Sequence, residues 1–345
     1  MTDTTLSALP LPRTPDPREA PTLRWGVLGP GWIAQRFVES LQAHTTQEVV
    51  AVASRDRRRA LTFAAEWSLP KAHDSYEALF DDPDVDIVYI ATTHPSHRDN
   101  AVDALNAGKH VLVEKPLAVD AAGARDIADA AARANRFVGE AMWTKFLPKF
   151  DVIRQLLDDG ALGEVRTVIA DHGEFFTTDH RIWNAELAGG PLLDLGTYPI
   201  ALAHMVFGSF TSVVAQGQDA APGLNGQISA TLADHAGNQA VLHTTILSDT
   251  PTVAVISGRD ATLHIDGPFF MPGPFTLTRH RGHPTDPGRV LHYDEKPGVQ
   301  ADGLHYAAVE AARSIAEGRT ESAVHPLRYA IATLEVAEEI RRQLG

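Results

Sequence analysis

The segment Gly29-Pro30-Gly31-Trp32-Ile33-Ala34 constrains the fold of this chain more than any other. It follows a buried-strand pattern, Leu23-Arg24-Trp25-Gly26-Val27-Leu28, and opens a stretch with helical spacing from Trp32 to Leu41. A Gly-x-Gly-x-x-Ala turn in that setting has a physical purpose. The first glycine permits the tight turn, the second lets backbone N–H groups approach a pyrophosphate, and the alanine keeps helix close to strand. The expected ligand is a dinucleotide, with Gly29, Gly31, Trp32 and Ile33 as its first contacts.

The alternation continues. Val49 to Ser54 reads as a strand, Arg57 to Trp67 as a helix, Ile87 to Thr92 as a strand and His97 to Ala107 as a helix. His110 to Glu114, Ala118 to Asn135 and Phe137 to Glu140 then read as strand, helix and strand. Such a rhythm with short connections implies a parallel sheet covered on both faces. The predicted class over 23–145 is an α/β Rossmann domain, a doubly wound parallel sheet. Beyond it, helices near Phe150 to Asp158 and Pro191 to Phe207 precede a series of β-like runs separated by Gly, Asn, Asp and Pro. Two helices close the chain, near Leu304 to Glu317 and Pro326 to Gln343. This predicts a substrate-binding α+β domain over 146–345 with a large, mainly antiparallel open sheet, whose C-terminal helices can pack back on the first domain. Residues 1–22, with prolines at 10, 12, 15, 17 and 21, predict an extended or disordered arm.

Composition narrows the chemistry. The absence of cysteine excludes disulfides and thiolate nucleophiles, and no His-Glu-x-x-His pair is present, so no metal is expected. A formal charge of -14 argues against a nucleic-acid partner. Residues 1–22 lack a basic start followed by an apolar stretch, and no run approaches the roughly 18 apolar residues of a membrane span. The expectation is a cytoplasmic protein with no membrane partner.

At the end of the second strand an NAD enzyme would offer a carboxylate to the ribose 2′-hydroxyl, whereas this chain offers Ser54-Arg55. A hydroxyl and a guanidinium suit a 2′-phosphate, which favours NADP. Asp56 and the basic run Arg57 to Arg59 leave NAD open. Glu114-Lys115-Pro116 falls at the C-terminal tip of a parallel strand, where ligands of open α/β sheets collect, so Glu114 and Lys115 are expected beside the cofactor. Asp194 and Tyr198, in Gly189-Gly190-Pro191-Leu192-Leu193-Asp194-Leu195-Gly196-Thr197-Tyr198, are four apart, a spacing that puts both on one face of a helix. Trp143, Phe176 and Trp183 are candidate walls of a substrate pocket. Arg181 is a weaker substrate candidate than a structural ion pair.

With these motifs in place, the chain from Leu23 to Leu344 resembles the glucose-fructose oxidoreductase, inositol dehydrogenase and rhizopine-catabolism family (Gfo/Idh/MocA). Glu140-Ala141-Met142-Trp143-Thr144-Lys145-Phe146 and the Gly189 to Pro199 segment are most similar to its dimeric dihydrodiol and NADP-dependent xylose dehydrogenase branch. The resemblance implies that Lys115 and Tyr198 share an acid/base role and that Asp194 binds substrate hydroxyls. Many relatives carry His where Tyr198 stands. A phenol, with an unperturbed pKa of about 10, needs a cationic neighbour such as Lys115 to ionise usefully at neutral pH. The resemblance also makes Thr92, Pro95 and His97 cofactor candidates. It implies a homodimer or tetramer through the open face of the second sheet. The implied reaction is oxidation of a hydroxyl on a small polyhydroxylated substrate, an aldose or cyclic diol, or the reverse reduction. An NAD-dependent glycoside hydrolase and a non-catalytic cofactor-sensing regulator on the same fold are the alternatives.

Overall fold

The short apolar strands between residues 24 and 140 form one parallel sheet in the computed structural model, which describes residues 7–280 and 287–345. In chain order the elements are β1 (Arg24–Leu28), α1 (Trp32–His44), β2 (Glu48–Ala53), α2 (Arg57–Glu66), β3 (Lys71–His73) and α3 (Tyr76–Phe80). They continue as β4 (Ile87–Ile90), α4 (His97–Asn106), β5 (His110–Val113), α5 (Ala121–Ala134) and β6 (Val138–Glu140). The strand order is β3-β2-β1-β4-β5-β6. β4 is buried along its whole length and β1 along most of it, as expected for strands covered on both faces. Helix starts follow the capping rule: Asp56, Ser75 and Asp120 each accept a backbone N–H at the start of α2, α3 and α5. The order reverses between β1 and β4, so the loops after β1, β2, β4 and β5 share one sheet edge at the switch point where such folds bind ligands. β3 and α3 were not expected, because three and five residues are too few to show a period.

The chain folds into two compact units. The dinucleotide unit comprises residues 15–146 and 300–335, the latter including α9 (His305–Ala316). Within it, Ala20 is buried against Val309 and Ala312, and Val138 N–H donates to Thr320 O (3.0 Å).

The sheet unit comprises residues 7–14, 147–280, 287–299 and 336–345. It contains α6 (Pro148–Asp158), β7 (Val165–Gly173), α7 (Pro191–Asp194) and α8 (Thr197–Phe207). The strands β8 (Ser212–Ala221), β9 (Leu224–Ala233), β10 (Gln239–Thr245), β11 (Ala254–Gly258), β12 (Ala261–Ile265), β13 (Phe275–His280) and β14 (Pro287–Tyr293) follow. The last helix, α10, is Leu327–Leu344, of which residues 336–344 belong to this unit. The eight strands run in the order β14-β13-β12-β11-β7-β10-β9-β8, antiparallel except for the parallel pair β7 and β10. One face buries Val168, Leu242, Ile256, Leu263 and Leu277. On the other, the cross-strand partners Ile169 and Val241 are exposed. β14 was not expected, because its Pro-Gly start reads as loop. In residues 7–14, Arg13 donates from its backbone N–H (2.6 Å) and its guanidinium (2.9 Å) to the Asp151 carboxylate.

The expected helix from Pro191 to Phe207 is broken. It divides into α7 and α8 at Leu195-Gly196, with Asp194 ending the first and Tyr198 in the first turn of the second. Both Leu195 N–H and Gly196 N–H donate to Pro191 O, which tightens the turn, and a Cβ on Gly196 would lie 2.7 Å from Leu192 O. The single-face argument for Asp194 and Tyr198 therefore does not hold in its simple form.

Candidate active site

The glycine loop leaves β1 with Gly29 at φ +93°, a left-handed conformation that favours glycine. A Cβ there would lie 2.9 Å from Ala91 O. Gly31 caps α1 without a side-chain hydrogen bond, and a Cβ on it would meet nothing within 4 Å. The N-terminus of α1 thus has no side-chain cap and open space beside Gly31, as a pyrophosphate cradle requires. Ala34 is fully buried, which brings α1 close to the sheet, while Trp32 is 59% exposed. Arg59 reaches back to donate to Pro30 O (3.2 Å), a contact with the loop that the basic run alone did not reveal.

At the tip of β2, the buried Ser54 hydroxyl accepts Asp56 N–H (3.1 Å). Asp56 accepts Arg58 N–H (2.9 Å) as the cap of α2, so its carboxylate is committed to the helix. Arg55 is exposed, with its guanidinium 5.8 Å from the centre of the Tyr76 ring. After β4, the Thr92 hydroxyl accepts from the Asn100 amide (3.0 Å) and Pro95 is exposed. These groups fit a nicotinamide dinucleotide: an open helix N-terminus for the pyrophosphate and an exposed cation at the ribose end.

Lys115 lies two residues beyond the end of β5 and is half-buried. Glu114 behind it is buried. Its carboxylate accepts Tyr89 O–H on one oxygen and Lys115 N–H on the other (3.2 Å). Burial pushes the Glu114 carboxyl up to about 7, against the opposing effect of the Tyr89 hydrogen bond. His97 is fully buried, with Nδ1 2.8 Å from Pro116 O and Nε2 3.1 Å from Thr92 O, and burial lowers its pKa. The side chains of His97, Glu114 and Trp143 are buried, at 0%, 5% and 1% exposure. His97 ties the loop after β4 to the turn after Lys115.

The sheet unit carries the remaining candidates. A Cβ on Gly189 would lie 2.3 Å from Ile182 O, and Gly190 N–H donates to the same carbonyl (2.7 Å). This close approach sets the turn Arg181–Trp183 beside α7. Arg181 consequently donates two bonds to the Asp194 carboxylate, 3.1 and 2.9 Å, and the ion-pair reading of Arg181 is the one observed. Trp183 donates from its indole to Phe176 O (3.1 Å), and both rings pack against Ile182, Leu195 and Ile246. The Tyr198 ring stacks on Phe270 at 4.5 Å, and Phe270 stacks on His172 at 4.5 Å. His172 and Phe270 were missed, since each lies far from Tyr198 in sequence and belongs to no motif. Among the described residues no helix is long and apolar enough to cross a membrane, and no cluster of three His, Asp or Glu could hold a metal.

A doubly wound sheet with an open phosphate cradle, joined to a second open sheet, defines a nicotinamide-dependent dehydrogenase. Residues 23–142 match the model of an oxidoreductase family with an NAD-binding Rossmann fold, and residues 150–264 match the GFO/IDH/MocA C-terminal domain. The chain belongs to the GFO/IDH/MocA oxidoreductase family. Among its relatives, a trans-1,2-dihydrobenzene-1,2-diol dehydrogenase of Xenopus laevis is 35% identical over 327 residues, covering 93% of this chain and 98% of its own. That of Bos taurus is 33% identical over 328 residues, covering 94% and 97%. The structure of an aldose-aldose oxidoreductase from Caulobacter crescentus, complexed with glycerol, superposes with a TM-score of 0.82 at 26% identity, covering 94% of this chain and 97% of its own.

Proposed function

We propose that this chain is an NADP-linked dehydrogenase that oxidises a hydroxyl of an aldose or cyclic diol, or reduces the corresponding carbonyl. The observation that carries this reading is Lys115: a half-buried lysine two residues beyond β5, on the sheet edge that also holds the glycine loop. The relatives named for a dihydrodiol and the solved structure named for aldoses support the substrate class.

When bound, the nicotinamide supplies the acceptor or donor for hydride. The protein's own residues handle the proton. Tyr198 takes the proton of the substrate hydroxyl, with the Lys115 ammonium stabilising the phenolate that makes this transfer useful near neutral pH. Asp194, held by Arg181, accepts hydrogen bonds from neighbouring hydroxyls and orients the reacting carbon. The exposed Arg55 and the Ser54 backbone suit a 2′-phosphate, while the Asp56 carboxylate is turned to the first-turn N–H groups of its own helix. A homodimer or tetramer would cover the exposed Ile169 and Val241 on the open sheet face.

A panel of aldoses, inositols and diols with each cofactor tests the reading. Reduced nicotinamide should accumulate with NADP, and Tyr198→Phe and Lys115→Ala should each abolish most of that signal. Sugar release without net reduced cofactor overturns it in favour of a hydrolase. Sedimentation as a monomer overturns the assembly.

A further inference from the structure

The turn that follows Lys115 is held from beneath by a buried pair: Glu140, which opens the Glu140 to Phe146 motif, and His325, which belongs to no motif above. Leu117 N–H donates to Glu140 Oε1 (2.8 Å), while Glu140 Oε2 lies 2.7 Å from His325 Nε2. The side chains of Glu140 and His325 are 3% and 1% exposed. Glu140 ends β6, the strand beside β5, and Glu140 pairs with Val113, two residues before Lys115. His325 belongs to the segment before α10, anchored by its own N–H donating to Ser322 Oγ (3.2 Å). His325 Nδ1 is buried with no hydrogen-bond partner. An unmatched lone pair at Nδ1 costs less there than an unmatched N–H, so the Nε2–H is the group that donates to Glu140. Other polar groups around this layer are Tyr89, which donates to Glu114, and His97, which contacts Pro116 O.

We infer that Glu140 and His325 are positioning residues for Lys115, with the imidazole fixing the carboxylate that in turn fixes the lysine-bearing turn through Leu117 N–H. A single carboxylate accepting both bonds has no rotamer to spare. Loss of the imidazole lets it swing and releases the Leu117 N–H. The inference rests on the assignment of Lys115 made above. A displacement of about 1 Å at a catalytic group is enough to cost on the order of 100-fold in rate.

The test compares His325→Leu and His325→Asn, which cannot reach Glu140, with His325→Gln, whose amide can replace the Nε2–H donor. Two readouts are used: kcat and KM, and the rate at which Lys115 is reductively methylated in the cofactor-free protein, followed by mass spectrometry. The expected result is a fall in kcat of about 10- to 100-fold for the Leu and Asn variants, with little change in KM. Their Lys115 methylation rate should change several-fold, and Gln should restore both readouts to within about threefold. If Leu unfolds the protein, Asn, which keeps a polar group in the site, supplies the comparison. Equal methylation of Lys115 in the wild type and a folded Leu or Asn variant overturns the inference. If Lys115→Ala keeps full activity, the catalytic assignment fails instead, and the methylation readout still decides whether the pair positions the turn.

Discussion

Arg181 grips the Asp194 carboxylate through two parallel hydrogen bonds of 2.9 and 3.1 Å, and Asp194 is nearly closed to solvent while Arg181 is not. A buried carboxylate is costly without its partner, and a bidentate guanidinium also fixes its plane. The pair is therefore a device for aiming Asp194. Arg181→Ala should lower kcat/KM by about 10- to 100-fold, because a hydrogen bond to a charged group contributes about 1.5–3 kcal/mol. Asp194→Asn should do comparable damage, and the double variant should lose little more than either single one. Additive losses in that cycle would show that the two residues act independently.

The two glycines of the dinucleotide loop should respond differently to alanine. Gly29 combines a positive φ with backbone 2.9 Å from any Cβ, so Gly29→Ala strains the fold itself and should lower the Tm as well as cofactor affinity. Gly31 has open space where its Cβ would go. Gly31→Ala should leave the Tm within about 2 °C, since surface changes typically cost under about 0.5 kcal/mol, yet weaken cofactor binding at least several-fold. Calorimetry and cofactor titration of both variants check this. A Gly31→Ala protein that binds as well as the wild type would remove the pyrophosphate from that cradle.

Glu114 should make stability depend on pH in an unusual direction. Its folded pKa is raised from an ordinary 4.5 to about 7, so the folded state holds the proton more tightly than the unfolded one. The contribution of Glu114 is therefore fully present below pH 4.5 and is lost as pH rises through about 7. At pH 8 the loss is on the order of 3 kcal/mol, from about 1.4 kcal/mol per pKa unit. Glu114→Gln cannot ionise, so its Tm relative to the wild type should be higher at pH 8 than at pH 5. An offset that is the same at both values would mean that Glu114 is not titrating as its burial implies.

The sequence reveals this architecture unevenly. Apolar strands alternating with helices around Gly29 and Gly31 made the parallel sheet legible, because period and turn chemistry are local. The division of Pro191 to Phe207 was not, since Gly196 is compatible with a helix and only the close packing against Leu192 shows the bend. The same holds for His97. Its place at a helix start is readable, but its two carbonyl contacts depend on how the loops after β4 and β5 come together. Phe270 and His172 lie on separate strands and loops, and nothing in their neighbours signals a ring stack with Tyr198. Arg59 was visible as charge, but its target, Pro30 O, was not.

The cofactor preference should reside in two residues at the tip of β2. Ser54 is buried with its hydroxyl turned to Asp56 N–H, so its contribution to a 2′-phosphate falls mainly to backbone and shape, whereas Arg55 is exposed and carries the charge. Its guanidinium lies over Tyr76, which holds it at the mouth of the ribose site without consuming its N–H groups in an ion pair. Arg55→Ala should therefore raise the KM for NADP by about 10- to 100-fold, the range expected for charge-assisted hydrogen bonds of about 1.5–3 kcal/mol, and leave that for NAD within about twofold. Ser54→Asp should go further. A carboxylate at the strand tip repels the 2′-phosphate and accepts the ribose hydroxyls of NAD, so the preference should invert. Unequal loss of the two cofactors is the decisive observation: if Arg55→Ala weakens NAD and NADP alike, the guanidinium serves the shared part of the dinucleotide, and the 2′-phosphate must be read by another cation, with Arg59 beside Pro30 the nearest candidate.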